Sequence, residues 1–366
     1  MKNSRTVILA MILVLTLVLS ACGNNTSTNS NSPNNGTNSS ANTGETAKPY
    51  EGQTLVVGVW GGPHEKVIDK YIRGPLEALG AEVELVLGGT GDRTALLYAE
   101  KSNPSMDIAF LNIYESKQAI EDGVAQDVDP SVPNLANSYE IAQSWGYGSS
   151  IMALGIAYNP ESVTEPIDSW DDLWRDELKG EISVSTFPGF EAESFLAIAG
   201  LAFGKTEADL EDNIAKVEEL GGLAMTHYNL DELALEINAG TVSAAPVFNY
   251  QANLLKEAGA SIEFVYPSNP GPILAKNTMV ISKNSKNTEL AKEFINLMLS
   301  PEAQAELAAL GFYGPVNTTA VLDEELASKV LYGQEAVDSM ITLDWSTIID
   351  QRSAATNLWN QKILNN

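Results

Sequence analysis

The 366 residues include one cysteine, Cys22, and two histidines, His64 and His227. A lone cysteine rules out an internal disulfide framework and any cysteine-built zinc module. Two histidines leave little for histidine-based metal or acid/base chemistry. Basic residues are scarce too: 21 Lys and Arg stand against 48 Asp and Glu, a net charge of -27 whose field repels phosphate backbones and excludes nucleic acid as a partner. Catalytic signatures are missing as well. The run GYGSS at 146–150 lacks the Gly-x-Ser-x-Gly spacing of a nucleophile elbow. GGTGDR at 88–93 places Thr94 where the third glycine of a dinucleotide fingerprint belongs. The expectation is a protein that is not an enzyme and carries no cofactor and no metal.

What is present begins with an exported N-terminus. Lys2 and Arg5 precede an apolar run from Val7 to Leu19, too short to span a bilayer as a mature helix and suited to a signal-peptide core. It ends in Leu19-Ser20-Ala21-Cys22, which resembles a bacterial lipobox, so residues 1–22 read as a lipoprotein signal and Cys22 as the lipidated mature N-terminus. Residues 23–49 are nearly all Asn, Ser, Thr and Gly, with no apolar surface to offset the entropy of folding. They read as a disordered tether with a root-mean-square span of roughly 25–30 Å. The implied location is the extracytoplasmic face of the cell membrane, on the outer surface of a single-membrane cell.

Beyond Tyr50 the pattern is α/β. Apolar runs at 55–59, 83–87 and 108–111 read as buried strands, and the stretches 65–79, 93–101 and 114–121 between and after them read as helices, giving a parallel βαβαβα array. A second unit opens with IMALGIAYN at 151–159 and has strands near 181–185 and 242–247. Thr206 with Asp209 and Ser169 with Asp172 form capping-box starts, and Ser300-Pro301 reads as an N-cap with proline at the first helical position. Once tether and signal are removed, about 315 residues exceed what one core usually serves, so two domains are expected.

TLVVGVWGG (54–62), DSWDDLW (168–174) followed by LKGEI, AAPVFN (244–249) and LSPEAQAELAALGFYGPVN (299–317), taken in order, resemble the solute-binding proteins of bacterial ABC importers, in the branch of the spermidine/putrescine-binding proteins. That resemblance implies a two-domain, hinge-joined, type II periplasmic-binding-protein-like α/β fold, each domain a mostly parallel sheet flanked by helices. Domain one would comprise 50–153 plus 249–315, and domain two 154–248 plus 316–366. The body would be monomeric, with an ABC permease and its ATPase as partners and the membrane reached through the lipid on Cys22. A lipoprotein that presents its solute to a membrane sensor would use the same body.

Ligands of open α/β sheets bind beyond the carboxyl ends of the strands, and that rule nominates the site. After the first strand come Trp60 and Gly61, an aromatic face beside exposed amides. After the second, Thr90, Gly91, Asp92 and Arg93 open a helix whose amides suit an anion. Asn112 and Tyr114 follow the third strand, where the resemblance implies ligand contacts. In the second domain Tyr147, Phe187, Gly189, Phe248 and Asn249 sit near predicted strand ends, and Phe248 takes the place of a ligand-stacking tryptophan in the polyamine-binding relatives. STFPGF at 185–190 lacks the acidic pair those relatives present, so an amine would have to be met by Asp92, Glu115 or Glu191. A zwitterionic or anionic solute would turn to Arg93. Ferric iron is disfavoured, because its binders use a Tyr-Tyr pair that this chain lacks. A cationic amine or polyamine ranks first.

Overall fold

The computed structural model describes residues 48–364. The readings of signal, lipidated Cys22 and tether through residue 47 lie outside the described residues. Among those described, no helix is long and apolar enough to cross a membrane.

The first half alternates strand and helix: β1 (Thr54–Val59), α1 (Pro63–Val67), α2 (Arg73–Ala78), β2 (Glu82–Leu87), α3 (Thr90–Ala99), β3 (Ile108–Asn112) and α4 (Ile113–Glu121). The helix expected over 65–79 is divided by a π turn, Ile68–Ile72, just before Gly74-Pro75; a proline at 75 has no N–H and crowds the carbonyl four residues back. Then follow β4 (Tyr147–Tyr158), β5 (Ser183–Ser185), α5 (Phe190–Leu201), α6 (Leu210–Glu218), β6 (Met225–His227), α7 (Leu230–Asn238), β7 (Ala244–Phe248), α8 (Asn249–Glu257), β8 (Glu263–Val265) and β9 (Ile273–Ile281). The chain closes with α9 (Thr288–Met298), α10 (Pro301–Gly311), α11 (Glu324–Ala327), α12 (Gln334–Asp338) and the long α13 (Trp345–Lys362).

The caps fall close to expectation. Ser300 accepts from the Ala303 amide at 3.3 Å and opens α10. The Ser169/Asp172 box is formed, but on a short 3-10 turn, Trp170–Trp174. The Asp209 carboxylate accepts from the amide and hydroxyl of Thr206 at 2.8 and 2.9 Å. Those bonds close a turn ahead of α6, which itself starts at Leu210.

The main sheet runs β2-β1-β3-β9-β4-β7, with β8 also on β4. The β2-β1-β3 part is parallel as expected, while β9 is antiparallel to both β3 and β4. β4, 12 residues long, pairs through Tyr147–Leu154 with β9 and through Leu154–Tyr158 with β7 and β8. These two long strands therefore run from one half of the body into the other. β5 and β6 pair in parallel, and Ile182 bridges to Ala244, which attaches them to β7. Close approach of β8 to β4 requires Gly155: a Cβ there would lie 2.4 Å from the Val265 carbonyl.

Strand alternation sorts the core. Ile108 and Phe110 join one cluster, with β1, α9 and α10, whereas Ala109 and Leu111 face Leu97, Ala119 and Val280 on the other side of the sheet. Further along, Leu154, Ile156 and Tyr158 face a second cluster built on α5, α6 and α13, and Ala157, Ala245 and Val247 face a third with α7 and α8. The C-terminal stretch divides: Val316, Leu331 and Val337 pack in the first cluster, and Leu343, Trp345 and Trp359 in the second.

Candidate functional site

A cavity of about 480 Å³ opens where the carboxyl ends of the strands converge. Trp60 follows β1, Thr90 and Gly91 begin α3 after β2, and Asn112 ends β3. Across from them lie Gly189, Phe190 and Glu191 at the start of α5, with Phe248 at the end of β7 and Tyr250 just beyond. Met152 of β4 and Ala275, Lys276 and Asn277 of β9 line it where the two crossing strands pass, and Tyr313 closes it from the turn after α10.

Four helices, α3, α4, α5 and α8, begin at this cavity, and none receives a side-chain cap at its N-cap residue. The Phe248 amide ahead of α8 donates to Gln251 Oε1 at 2.8 Å, while at α3, α4 and α5 no N-cap side chain accepts from the first turn, which favours negative charge nearby. Local folding thus explains acids in the first turns of α4 and α5. Glu115 and Glu191 line the cavity. One oxygen of Glu115, Oε2, is buried and without a hydrogen-bond partner, while Oε1 faces the Asn112 amide at 3.4 Å. Glu191 accepts from Gln251 Nε2 at 3.1 Å. Burial pushes both carboxyls above the usual range, and for Glu115 the contacts with Tyr114, its own backbone, Arg352 and Asn112 only partly oppose that.

The walls are aromatic. Ring contacts run from Tyr114 to Phe190 (6.3 Å), to Phe248 (5.5 Å), to Tyr250 (5.8 Å) and to Tyr313 (4.8 Å). Through buried His64 the series reaches Trp60, at 5.1 and 5.2 Å. Burial and the neighbouring Arg93 lower the His64 pKa to about 3, so this imidazole is a neutral packing group, not a proton carrier.

Trp60, Thr90, Gly91, Asn112, Tyr114, Gly189 and Phe248 are brought together here. The other nominated residues are placed elsewhere. Gly61 and Asp92 are exposed outside the lining. Arg93, 3% exposed, donates from Nε to the Phe110 carbonyl at 2.8 Å and from Nη1 to that of Gly88, with its guanidinium 4.6 Å from the Trp60 ring. It lies against Trp60 outside the lining, and its Nη2 is buried without a hydrogen-bond partner. Tyr147 is buried in the first core cluster, its hydroxyl accepting from the Asp129 amide at 2.8 Å. Phe187 stacks on Trp359 at 4.7 Å, and Asn249 accepts from the Ala153 amide at 3.0 Å. Tyr147 opens β4 five residues ahead of the lining Met152, Phe187 lies between β5 and the lining Gly189, and Asn249 begins α8 between the lining Phe248 and Tyr250. The sequence reading did not nominate Phe190, Tyr250, Tyr313 or the β9 residues as lining groups.

Lys276 is unusual for a strand interior at 1% exposure; its Nζ donates to the Ile141 carbonyl at 2.7 Å and to that of Ser144. Two carbonyls suffice for the two N–H groups of a neutral amine, and burial lowers the pKa from 10.5 to about 7. Between those values the unfolded chain binds the extra proton, so stability rises with pH through that window by up to about 1.4 kcal/mol per unit. Lys276→Met is expected to flatten the rise in urea midpoint between pH 7 and 9.5; an unchanged slope would assign it to other groups.

Residues 77–333 match the family model described as bacterial extracellular solute-binding protein. The chain belongs to that family. Among its relatives, the spermidine/putrescine-binding periplasmic protein of Escherichia coli K12 is 29% identical over 240 residues, 64% of this chain and 65% of that one. The match thus spans just under two thirds of that relative's length. A putative 2-aminoethylphosphonate-binding periplasmic protein of Salmonella typhimurium LT2 is 23% identical over 78% of this chain and 84% of its own. The crystal structure of an ABC transporter protein from Clostridium perfringens superposes with a TM-score of 0.75 at 30% identity, covering 84% of this chain and 99% of that one. The solute-binding protein described here therefore has the hinge-joined, two-domain α/β fold of its family, and its cavity lies where the strand-end rule places a ligand.

Proposed function

We propose that this protein is the substrate-binding component of an ABC import system and that it captures a small amine-bearing solute in the cavity. The observation that carries the reading is the pair of first-turn carboxylates, Glu115 and Glu191, in an aromatic cavity, with one Glu115 oxygen buried and unpartnered. A desolvated carboxylate needs a cation, and an ammonium against aromatic faces gains roughly 0.5–2 kcal/mol more per ring. Spermidine, putrescine and 2-aminoethylphosphonate, the compounds in those relatives' names, all carry an ammonium group, which supports the class. Uncapped amides at Thr90 and Gly91 favour a second reading, a zwitterion whose anionic end meets α3.

In the same proposal β4 and β9 are the hinge strands. Residues 249–265 move with domain two and 316–338 with domain one, following their packing. Solute would shift the population toward a closed state that a permease recognises. Lipid on Cys22 would hold the body at the membrane, and a sensor instead of a permease as docking partner is the alternative role. Catalysis has no place in this reading.

The test is thermal unfolding against putrescine, spermidine, 2-aminoethylphosphonate, amino acids and an amine-free dicarboxylate. A specific ligand at 100 times its Kd adds about 2.7 kcal/mol, a shift of several degrees. Stabilisation is expected from an amine, and Trp60→Ala or Phe248→Ala should weaken that binding about tenfold each. A shift with the amine-free anion alone would overturn the assignment.

A further inference from the structure

Tyr114 does more than line the cavity. Its helix, α4, springs from β3 in the first half, and Ala119 further along packs in the cluster behind that sheet. Ile113 and Tyr114 instead join the second cluster, on the far side of the cavity. The Tyr114 ring lies 6.3 Å from Phe190 of α5 and stacks on Trp345 at 5.3 Å and 25°. On the same ring rests the guanidinium of Arg352, 4.6 Å from the centroid. Arg352 is fixed in turn by Glu193 of α5, with Nε to Oε1 at 2.5 Å and Nη2 to Oε2 at 2.9 Å, and the Glu193 side chain is only 2% exposed.

We propose that Arg352 is a positioning residue that latches the two halves of the cleft through Tyr114, so that closure draws on a contact the solute does not make. A bidentate pair leaves a guanidinium planar and oriented, free to present its face to an aromatic ring. Here the pair ties α13 to α5, and the face is spent on α4, the one helix of the three rooted in the first half. The solute cavity is bounded by Tyr114 itself. Opening the cleft must pull this ring away from Phe190, Trp345 and Arg352 together. A latch of this kind raises the closed fraction of the empty protein, and apparent affinity scales with that fraction for every solute alike. Residues that touch the solute discriminate between solutes; Arg352 sets the common factor.

The latch rests on the closing solute site proposed above, so its test uses no solute, and its failure is distinguishable from failure of the amine assignment. In the full chain carrying Cys22→Ser, spin labels go on Asp92→Cys and Thr186→Cys, two exposed positions close to the cavity-lining Gly91 and Gly189 on opposite sides. The unsubstituted latch is expected to give a dominant short distance. Arg352→Ala should lower the closed-to-open ratio about tenfold, about 1.4 kcal/mol, with the helical circular dichroism unchanged. Tyr114→Leu, which leaves the Arg352–Glu193 pair intact but also takes the ring from Phe190 and Trp345, should give a shift at least as large. Combining the two should add nothing further. A distance distribution unchanged in both variants, or additive shifts in the double variant, would overturn the proposal.

Discussion

On the amine reading, Glu115→Gln is expected to weaken binding of whichever amine stabilises the protein about a hundredfold, roughly 2.8 kcal/mol, while making the empty protein more stable. The two effects have one cause. Burial raises the Glu115 carboxyl above the ordinary range, and its Oε2 has no partner, so ionising this carboxyl in the ligand-free fold costs stability. The sign follows from linkage: the folded state holds the proton more tightly than the unfolded chain, so stability falls as pH rises from the usual glutamate value to the raised one. A neutral carboxamide removes that cost. It also removes the charge an ammonium would pair with, and losing one partner of a buried charge pair costs about 2–5 kcal/mol. Wild-type affinity should decline on acidification at a higher pH than an ordinary glutamate would give, and in Glu115→Gln only the Glu191 part of that dependence should remain. Calorimetric titration and thermal unfolding on the same samples check both halves. Lost binding with lost stability would make Glu115 a structural residue, and unchanged binding would remove it from the site.

The α/β order, the first three parallel strands, the cap at Ser300 and the strand-end rule were legible in the sequence because each depends on local pattern. The antiparallel return of β9 was not, since nothing local in ILAKNTMVI states which neighbour it pairs with. The same gap explains the lining residues that escaped. Lys276 reads as a break in an apolar run until the Ile141 and Ser144 carbonyls are seen to hold it.

Where a strand end and an aromatic coincided, Trp60 and Phe248 do line the cavity, whereas Tyr147 and Phe187 do not. Arg93 shows the limit: its charge and its place at a helix start were visible, but not that the Phe110 and Gly88 carbonyls would take its Nε and Nη1 donors. Tyr313 and Tyr250 lay within or beside recognised stretches, LGFYGPVN and AAPVFN. The usable signal was there, an aromatic next to a family motif, but facing direction depends on tertiary packing. Arg352 and Glu193 carry no sequence signal at all, because 159 residues separate the two partners of that pair.

Trp170→Ala is expected to cost about 3–5 kcal/mol of stability, the range for removing a large buried aromatic. Trp170 is 0% exposed in the second core cluster, and its Nε1 donates to the Gly271 carbonyl at 2.9 Å. The surrounding backbone makes the same connection: the Trp170 amide donates to the Asn269 carbonyl at 3.2 Å, and the Ser268 amide to that of Asp168 at 2.7 Å. Trp170 therefore ties the capped 3-10 turn to the turn that feeds β9, the strand that crosses to the first half and borders the cavity. Trp170→Phe keeps most of the apolar volume but orphans the Gly271 carbonyl, so it should cost about 1–2 kcal/mol. The difference between the two variants separates packing from the hydrogen bond. If the halves unfold in separate urea transitions, the one that contains the second cluster should move, and the transition of the first cluster should follow only as far as β9 couples them. An Ala variant within 1 kcal/mol of wild type would mean that the site collapses around the loss and that β9 is anchored by other contacts.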